Sequence, residues 1–262
     1  MRRIHLFEFT DLPWYPQIFR RMQTDYLQFV AILGSGQKNL IPLFTKAMQS
    51  AGTTEIVDLC SGGTGPWMRL QEQFKQAGLF VSIKLTDKYP NPEAVQKWAG
   101  ASRQGIEYLA EPVDALKVPP HLKGMRTLFE GFHHFRPEQA RSILQDAVEK
   151  KEAIGIFEIS LKPPFGPFLL LLAPLMTLVS YLLITPFITP RTLSRFFWTY
   201  PVPIVPLATC WDGVISLLRV YSLRDLKEIT DSLHYKTYIW EMGEASTGTP
   251  LFVYTYLLGY PV

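Results

Sequence analysis

The hydrophobic period of the chain switches back and forth between residues 55 and 158, and this alternation limits the fold more than any other feature. Short apolar, β-branched runs at 55–59, 81–86, 106–109, 125–130 and 153–158 read as strands, with helical patterns at 66–77, 92–99 and 137–149 between them. Strands separated by helices run parallel, in a sheet covered on both faces. After a long apolar insertion comes a helix at 223–233, opened by Ser222 and Asp225 as a capping pair. Two aromatic-rich strands follow, 235–242 and 251–260, joined by the turn-like Glu244–Pro250. The expected fold class is α/β: a mostly parallel, Rossmann-like seven-stranded sheet ending in an antiparallel hairpin, with helices on both faces. A plain dinucleotide-binding fold would instead continue with parallel units.

Composition narrows the function. With 262 residues and 47% hydrophobic content the chain can bury one large α/β core. The net charge is only +3 and the basic residues are scattered, apart from Arg2-Arg3 and Arg20-Arg21. No nucleic-acid partner is indicated, while weak attraction to an anionic membrane surface stays open. Two cysteines, Cys60 and Cys210, make no disulfide framework or paired metal spacing, which fits a cytoplasmic setting. Glu8, Asp11 and two prolines interrupt the first residues, so no secretory signal is read there. Residues 1–13 look irregular, whereas 16–33 carry Ile18, Phe19, Met22, Tyr26, Phe29, Val30 and Leu33 on one helical face, ended by Gly34-Ser35-Gly36. A second apolar-patterned segment, 38–50, leads into the first strand.

Residues 55–67 read Glu-Ile-Val-Asp-Leu-Cys-Ser-Gly-Gly-Thr-Gly-Pro-Trp. A strand runs into a glycine-rich turn, and Pro66 suits a helix start because its missing N–H costs nothing there. Such a turn admits a ligand close to the backbone, and the open N–H groups of the next helix favour electron-rich groups on it. An acid, Asp87 in Leu85-Thr-Asp-Lys, ends the second strand, and Asp114-Ala115 follows the third.

Element order, turn, second-strand acid and closing hairpin together resemble the class I S-adenosylmethionine-dependent methyltransferases over roughly residues 53–260. The resemblance implies that Asp58, Cys60, Gly62, Gly63 and Gly65 hold the methionine part of the cofactor. It also implies that Asp87 binds both ribose hydroxyls and that Asp114 and Ala115 lie against adenine. An acid about twenty residues past the turn is where a ribose diol lies in folds of this type. The usual turn reads Asp-x-Gly-x-Gly-x-Gly. Here Cys60 replaces the first glycine and the last comes one position late. Cys60 reads as a small buried residue rather than a catalytic thiol, since no neighbour in sequence lowers its pKa.

Glu130-Gly-Phe-His-His-Phe135 follows the fourth strand at the carboxyl edge, where open α/β sheets place their ligands. Glu130 is a further cofactor-binding candidate. His133 and His134 are the candidate catalytic bases, because imidazole accepts a proton near neutral pH and methyl acceptors often must lose one. The alternative is that one ring only supports the sheet edge. No cysteine or carboxylate spacing completes a metal site around the pair, so none is expected. Glu158 and Lys162, past the fifth strand, read as a surface ion or cap rather than substrate contacts.

Pro163 to Pro190 contains no charged residue and exceeds the roughly 20 apolar residues that span a bilayer. The last two strands must rejoin the sheet, so the run either does not cross or crosses twice, and Pro174 and Pro186 are expected to break a single long helix. Three readings remain: a helical hairpin in the membrane interface, a lid over a lipid-like substrate, or a homodimer contact. Arg191 and Arg195 are placed to meet lipid phosphates.

The organisation expected is an N-terminal helical cap, 1–52, and a cofactor-binding domain, 53–262, carrying the insertion 163–210. The function expected is methyl transfer from S-adenosylmethionine to a small apolar or lipid-like acceptor, on a protein peripheral to the inner face of a membrane. No Asp/Asn-Pro-Pro-aromatic tetrapeptide follows the fourth strand, which weighs against methylation of bases. A non-catalytic, membrane-associated binding or assembly protein keeping the fold is the alternative.

Overall fold

The structure is a computed structural model that describes residues 3–33, 36–98, 105–164, 166–233 and 235–262, and of Lys97 the backbone alone. Arg2, the Gly34-Ser35 end of the first helix and residue 99 of the 92–99 helix lie outside the described residues.

Seven strands form one sheet in the order β3-β2-β1-β4-β5-β7-β6. They are β1 (Glu55–Asp58), β2 (Ser82–Leu85), β3 (Ile106–Tyr108), β4 (Met125–Phe129), β5 (Ile154–Leu161), β6 (Tyr238–Ser246) and β7 (Phe252–Pro261). β1 to β5 pair in parallel, whereas β7 runs antiparallel between β5 and β6. The strand order reverses between β1 and β4, which opens a crevice at their carboxyl ends.

Successive residues of a strand point to opposite faces, so Ile56 enters one core and Val57 the other. On the first face lie α2 (Ile41–Ala51), α3 (Trp67–Gln76) and α4 (Pro92–Trp98), packed through Phe44, Trp67, Phe74 and Trp98. Phe44, Phe129 and Phe157 stack there, with ring centroids 4.8–6.1 Å apart. The opposite face is covered by α5 (Pro137–Glu149) and α9 (Leu223–Asp231), through Ala140, Ile143, Leu144 and Leu226. Ser222 caps α9 by accepting from Asp225 N, and the Asp225 carboxylate accepts from Ser222 N, as the sequence pattern requires.

A second helical group is built from α1 (Gln17–Leu33), α6 (Gly166–Ile184), α7 (Leu193–Thr199) and α8 (Ile204–Arg219). Met22 and Tyr26 of α1 share a buried cluster with Tyr181, Ile188 and Val205. The expected break at Pro174 does not occur, because α6 runs through it. A proline in a helix interior costs about 3 kcal/mol. Against that, Leu169, Ala173 and Tyr181 are buried on the face turned to the other helices, and Cys210 Sγ of α8 donates to the Pro174 carbonyl at 3.2 Å. The helical insertion also extends past residue 210, to the end of α8 at Arg219.

Residues 3–12 form a strap along α8, irregular up to Glu8 and then a single 3-10 turn, Phe9–Asp11. Asp212 accepts from Phe9 N (2.7 Å) and Thr10 N (3.3 Å), Trp211 Nε1 donates to the Phe7 carbonyl (3.0 Å), and Ile4 N donates to the Leu218 carbonyl (2.9 Å). Arg219 Nε donates to the Leu6 carbonyl at 2.7 Å.

Candidate functional site

β1 ends at Asp58, whose carboxylate is buried beneath the turn. Thr127 Oγ1 donates to one oxygen (2.7 Å) and Ser61 Oγ to the other (2.6 Å). Asp58 therefore shapes the turn from below, with both oxygens already engaged by protein. Burial pushes its pKa up to about 7, against hydrogen bonds that act the other way.

That shift has a sign. A folded value above the ordinary 3.8 means the native state holds a proton the unfolded chain has lost, so this contribution is full below about pH 4 and disappears as pH rises through 7. Its size is on the order of 4 kcal/mol. Asp58→Asn keeps partners for both hydroxyls and removes the ionisation. The variant is expected to melt with a flatter pH dependence between about pH 5 and 8 and to exceed the wild type at the alkaline end. Parallel melting curves for the two proteins across that range would refute the assignment.

The turn itself takes left-handed backbone at Cys60 (φ 60°) and Gly62 (φ 52°). Cys60 occupies a conformation that favours glycine, the position where the family's pattern has one. Burial, with the charges of Asp87 and Asp58, pushes its thiol pKa up, which fits a packing role. Gly63 is held for a different reason: a Cβ there would meet Thr24 Cγ2 of α1 at 2.8 Å. Gln28, also on α1, donates to Thr64 Oγ1 at 2.6 Å, so the first helix lies directly on the turn. No side chain caps the N-terminus of α3, whose first N–H groups follow Gly65 and Pro66.

Asp87 stands beside this turn. Its Oδ2 accepts from Gly62 N (2.9 Å) and its Oδ1 from Tyr89 N (2.8 Å), which leaves acceptor capacity on both oxygens. Burial holds its pKa above the usual carboxylate value, with the Tyr89 and Gly62 amides opposing. Tyr108, at the end of β3, donates to the Gly62 carbonyl at 2.8 Å. Asp114 pairs with Lys88 at 2.8 Å and accepts from Leu116 N, so its carboxylate is partly engaged. Ala115 is buried in the cluster that holds Val57 and Leu59 and that Cys60 of the turn packs against.

Glu130 follows β4 in left-handed backbone (φ 50°) and accepts from Ile159 N at 2.5 Å. It is open to solvent yet hemmed in by protein, which makes it a wall of the crevice. That enclosure, together with the charge of Glu158, raises its pKa well above the ordinary value. Cys60 and Asp87 combine partial exposure with deep enclosure in the same way, and all three line the carboxyl edge. A shallow cleft of about 480 Å³ beside Arg3, Arg141, Tyr221 and Glu228 is the best-formed concavity elsewhere, but none of the sequence-picked residues lines it.

Glu158 corrects the sequence reading. It lies inside β5, which runs on to Leu161, and it is buried. Oε1 accepts from Phe132 N (2.6 Å) and His133 N (3.1 Å), and Oε2 meets His133 Nδ1 at 2.6 Å. The buried His133 ring lies against the His134 ring, with centroids 4.3 Å apart, and His134 Nδ1 meets Asp11 at 2.8 Å. Glu8 and Asp11, from the strap, were invisible to sequence reasoning because nothing in an irregular segment signals that it closes onto residue 133. Arg195 is likewise corrected: it is buried and paired with Asp25 rather than offered to lipid, while Arg191 is exposed. Arg20 donates to the Thr10 and Leu12 carbonyls, and Arg21 pairs with Glu93.

The strand order, with its reversal at β1/β4 and one antiparallel strand between β5 and β6, decides the fold. It is the class I methyltransferase fold. No protein-family model matches the chain, and neither does any curated protein. Among solved structures, human N-acetylserotonin methyltransferase in complex with S-adenosylmethionine is similar over 93% of this chain and 55% of its own, at 13% identity and TM-score 0.48. LepI in complex with S-adenosylmethionine is similar over 79% of this chain and 43% of its own, at 16% identity and TM-score 0.45. A protein described as a Zn-dependent alcohol dehydrogenase from Rhodobacter sphaeroides reaches 90% and 97%, at 11% identity and TM-score 0.46. The chain thus spans about half the length of the first two. At such scores these likenesses carry no function over, and the fold stands on its own topology.

Proposed function

We propose that this chain transfers a methyl group from S-adenosylmethionine to a small, apolar or lipid-like acceptor. The observation that carries the reading is the Asp87 carboxylate, accessible in the crevice and held to the Gly62 amide at the point where strand order reverses. Those residues fit the cofactor: spare acceptor sites on Asp87 suit a ribose diol, and the turn with the uncapped start of α3 suits the methionine end. When bound, the cofactor supplies an electrophilic methyl group on a sulfonium. Asp58, Ser61 and Thr127 fix the turn, Cys60 and Glu130 wall the site, and α1 excludes water above Gly63 and Thr64. Held reactants gain rate from proximity and alignment alone. In this reading His133 or His134 would take the acceptor's proton, the pair following Glu130 in the turn after β4.

The acceptor class rests on the helical insertion. Phe168, Leu171, Leu175, Val179 and Leu183 of α6 are all exposed, at spacings of three and four, and so share one helix face. Exposed Phe187, Leu193 and Leu207 continue the apolar surface, and exposed Arg191 stands beside it. Gly166–Phe187 is long and apolar enough to cross a bilayer by length and composition. The bent pair Leu193–Thr199 and Ile204–Arg219 passes the same test together, but that return path carries buried Asp212 and Arg219, so in this reading α6 lies in a membrane interface instead. Replacing Leu171, Leu175 and Leu183 together with serine is expected to abolish flotation with anionic liposomes while leaving cofactor affinity unchanged. Loss of both would mean these side chains hold the fold, and retention of both would end the membrane reading.

The function is tested by calorimetry with S-adenosylmethionine and by incubating methyl-labelled cofactor with lipid extract, followed by mass spectrometry of labelled products. Absence of cofactor binding would overturn the proposal. Binding without transfer to any lipid or small molecule would favour a binding or assembly protein that keeps the fold.

A further inference from the structure

We propose that Glu8, His133 and His134 bind one divalent transition-metal ion of the zinc type, with Glu158 and Asp11 orienting the two rings. The inference is independent of the methyl-transfer reading. Glu8 comes from the strap and the histidines from the turn after β4, so the fold supplies a third ligand that the local sequence lacks.

Glu8 Oε1 lies 3.7 Å from His133 Nε2, and Glu8 Oε2 lies 4.0 Å from His134 Nε2. One ligand atom from each residue falls within 4.8 Å of the other two. Zinc holds nitrogen and oxygen ligands at about 2.0–2.2 Å, which sets tetrahedral neighbours about 3.4 Å apart, so ligand atoms within 4.8 Å of one another close on an ion by contracting up to about 1.4 Å.

The hydrogen bonding points the same way. His133 Nδ1 lies 2.6 Å from Glu158 Oε2, so Glu158 orients the ring and turns Nε2 toward Glu8. That Nε2 is buried, has no hydrogen-bond partner among the described residues, and faces a carboxylate oxygen of Glu8. A buried ring nitrogen and a carboxylate oxygen opposed without a hydrogen bond between them are an arrangement that a shared metal ion joins. His134 repeats the pattern: its Nδ1 has Asp11 at 2.8 Å as its nearer partner, ahead of Arg219 Nη1 at 3.3 Å. Histidine ligands in metal sites donate their second nitrogen to a carboxylate in just this manner.

Arg219 is the competing cation, with Nη1 2.9 Å from Glu8 Oε1 and 2.7 Å from Asp11 Oδ2. It does not fill the site: its Nη1 reaches Glu8 Oε1 and Asp11 Oδ2, while His133 Nε2 stays without a hydrogen bond among the described residues. The Glu8 carboxylate is shared: Arg219 holds Oε1, the oxygen nearer His133 Nε2, and Oε2, 4.0 Å from His134 Nε2, is offered to the metal. Two imidazoles and one carboxylate leave a fourth position open for water or an acceptor oxygen, as in catalytic rather than structural sites.

The full chain, stripped with chelator, should take up one equivalent of Zn²⁺ by calorimetry and elemental analysis at about pH 7.5, where imidazoles are available as ligands. Co²⁺ should give the visible absorption of a four-coordinate site. His134→Gln and Glu8→Gln should each weaken uptake about a hundredfold or more, and Asp11→Asn about tenfold to a hundredfold. No stoichiometric uptake, or uptake that survives both His134→Gln and Glu8→Gln, would overturn the site. Should a variant fail to fold, the Co²⁺ spectrum of the wild type decides: its absence overturns the proposal. S-adenosylmethionine binding on the same samples separates this result from the fate of the proposed activity.

Discussion

Asp87→Ala is expected to weaken S-adenosylmethionine binding about a hundredfold, close to 2.8 kcal/mol at 1.4 kcal/mol per factor of ten. Charge-assisted hydrogen bonds are worth about 1.5–3 kcal/mol each, and a diol offers two, but part of the gain is offset by desolvating the carboxylate. The same substitution also releases Gly62 N, so the turn loses one of its contacts with the end of β2, while Ser61 N still donates to the Thr86 carbonyl. Asp87→Asn retains an acceptor oxygen and should recover part of the affinity. Calorimetry on both variants, with melting temperature as a check on folding, reads the result. An alanine variant that binds as the wild type does would remove Asp87 from the site.

The second large effect is on stability. Arg219 is 2% exposed and donates to Glu8, Asp11 and the Leu6 carbonyl, so it joins α8 to the strap. Arg219→Met leaves a buried carboxylate and a carbonyl without their cation. Breaking one side of a buried pair costs about 3–5 kcal/mol, which for a chain of this size lowers the melting temperature by about 10 °C. Adding Glu8→Gln should return part of the loss, because the stranded charge goes with it. The measurement belongs in chelator, so that metal binding does not enter. A melting temperature that Arg219→Met leaves unmoved would show the ion pair to be energetically idle.

Most of the sheet was legible because its information is local. Ile56 and Val57 alternate faces, Gly78 closes α3 in left-handed backbone, and Ser222 with Asp225 opens α9; each is a short-range rule that tertiary structure did not override. The misjudged features depend on distant partners. Pro174 breaks a helix in isolation, but here Tyr181 and Cys210 supply packing and a hydrogen bond from across the bundle. Glu158 reads as a surface acid until the turn after β4 folds back onto it with Phe132 N and His133 N. Arg195 looks like a lipid anchor until Asp25, 170 positions earlier, meets it. The candidate cofactor residues were picked from turn chemistry, strand ends and the family resemblance. Glu8 and Asp11 carried no such signal, since only closure of the strap brings them to the histidines.

The strap also dictates an order of events during synthesis. Glu8 and Arg219 are 211 positions apart, and at roughly 5–20 residues per second the ribosome needs about 10–40 s to make what lies between them. Through that interval Glu8 and Asp11 lack the guanidinium that neutralises them, and for most of it Met22 and Tyr26 of α1 lack Tyr181. Closing so long a loop comes late in any folding sequence, because its entropy must be met before its contacts form. The first helix made is therefore among the last to be seated. Until then Met22 and Tyr26 stay without the Tyr181, Ile188 and Val205 side chains that bury them in the finished protein, and the glycine-rich turn stays without the helix that lies on it.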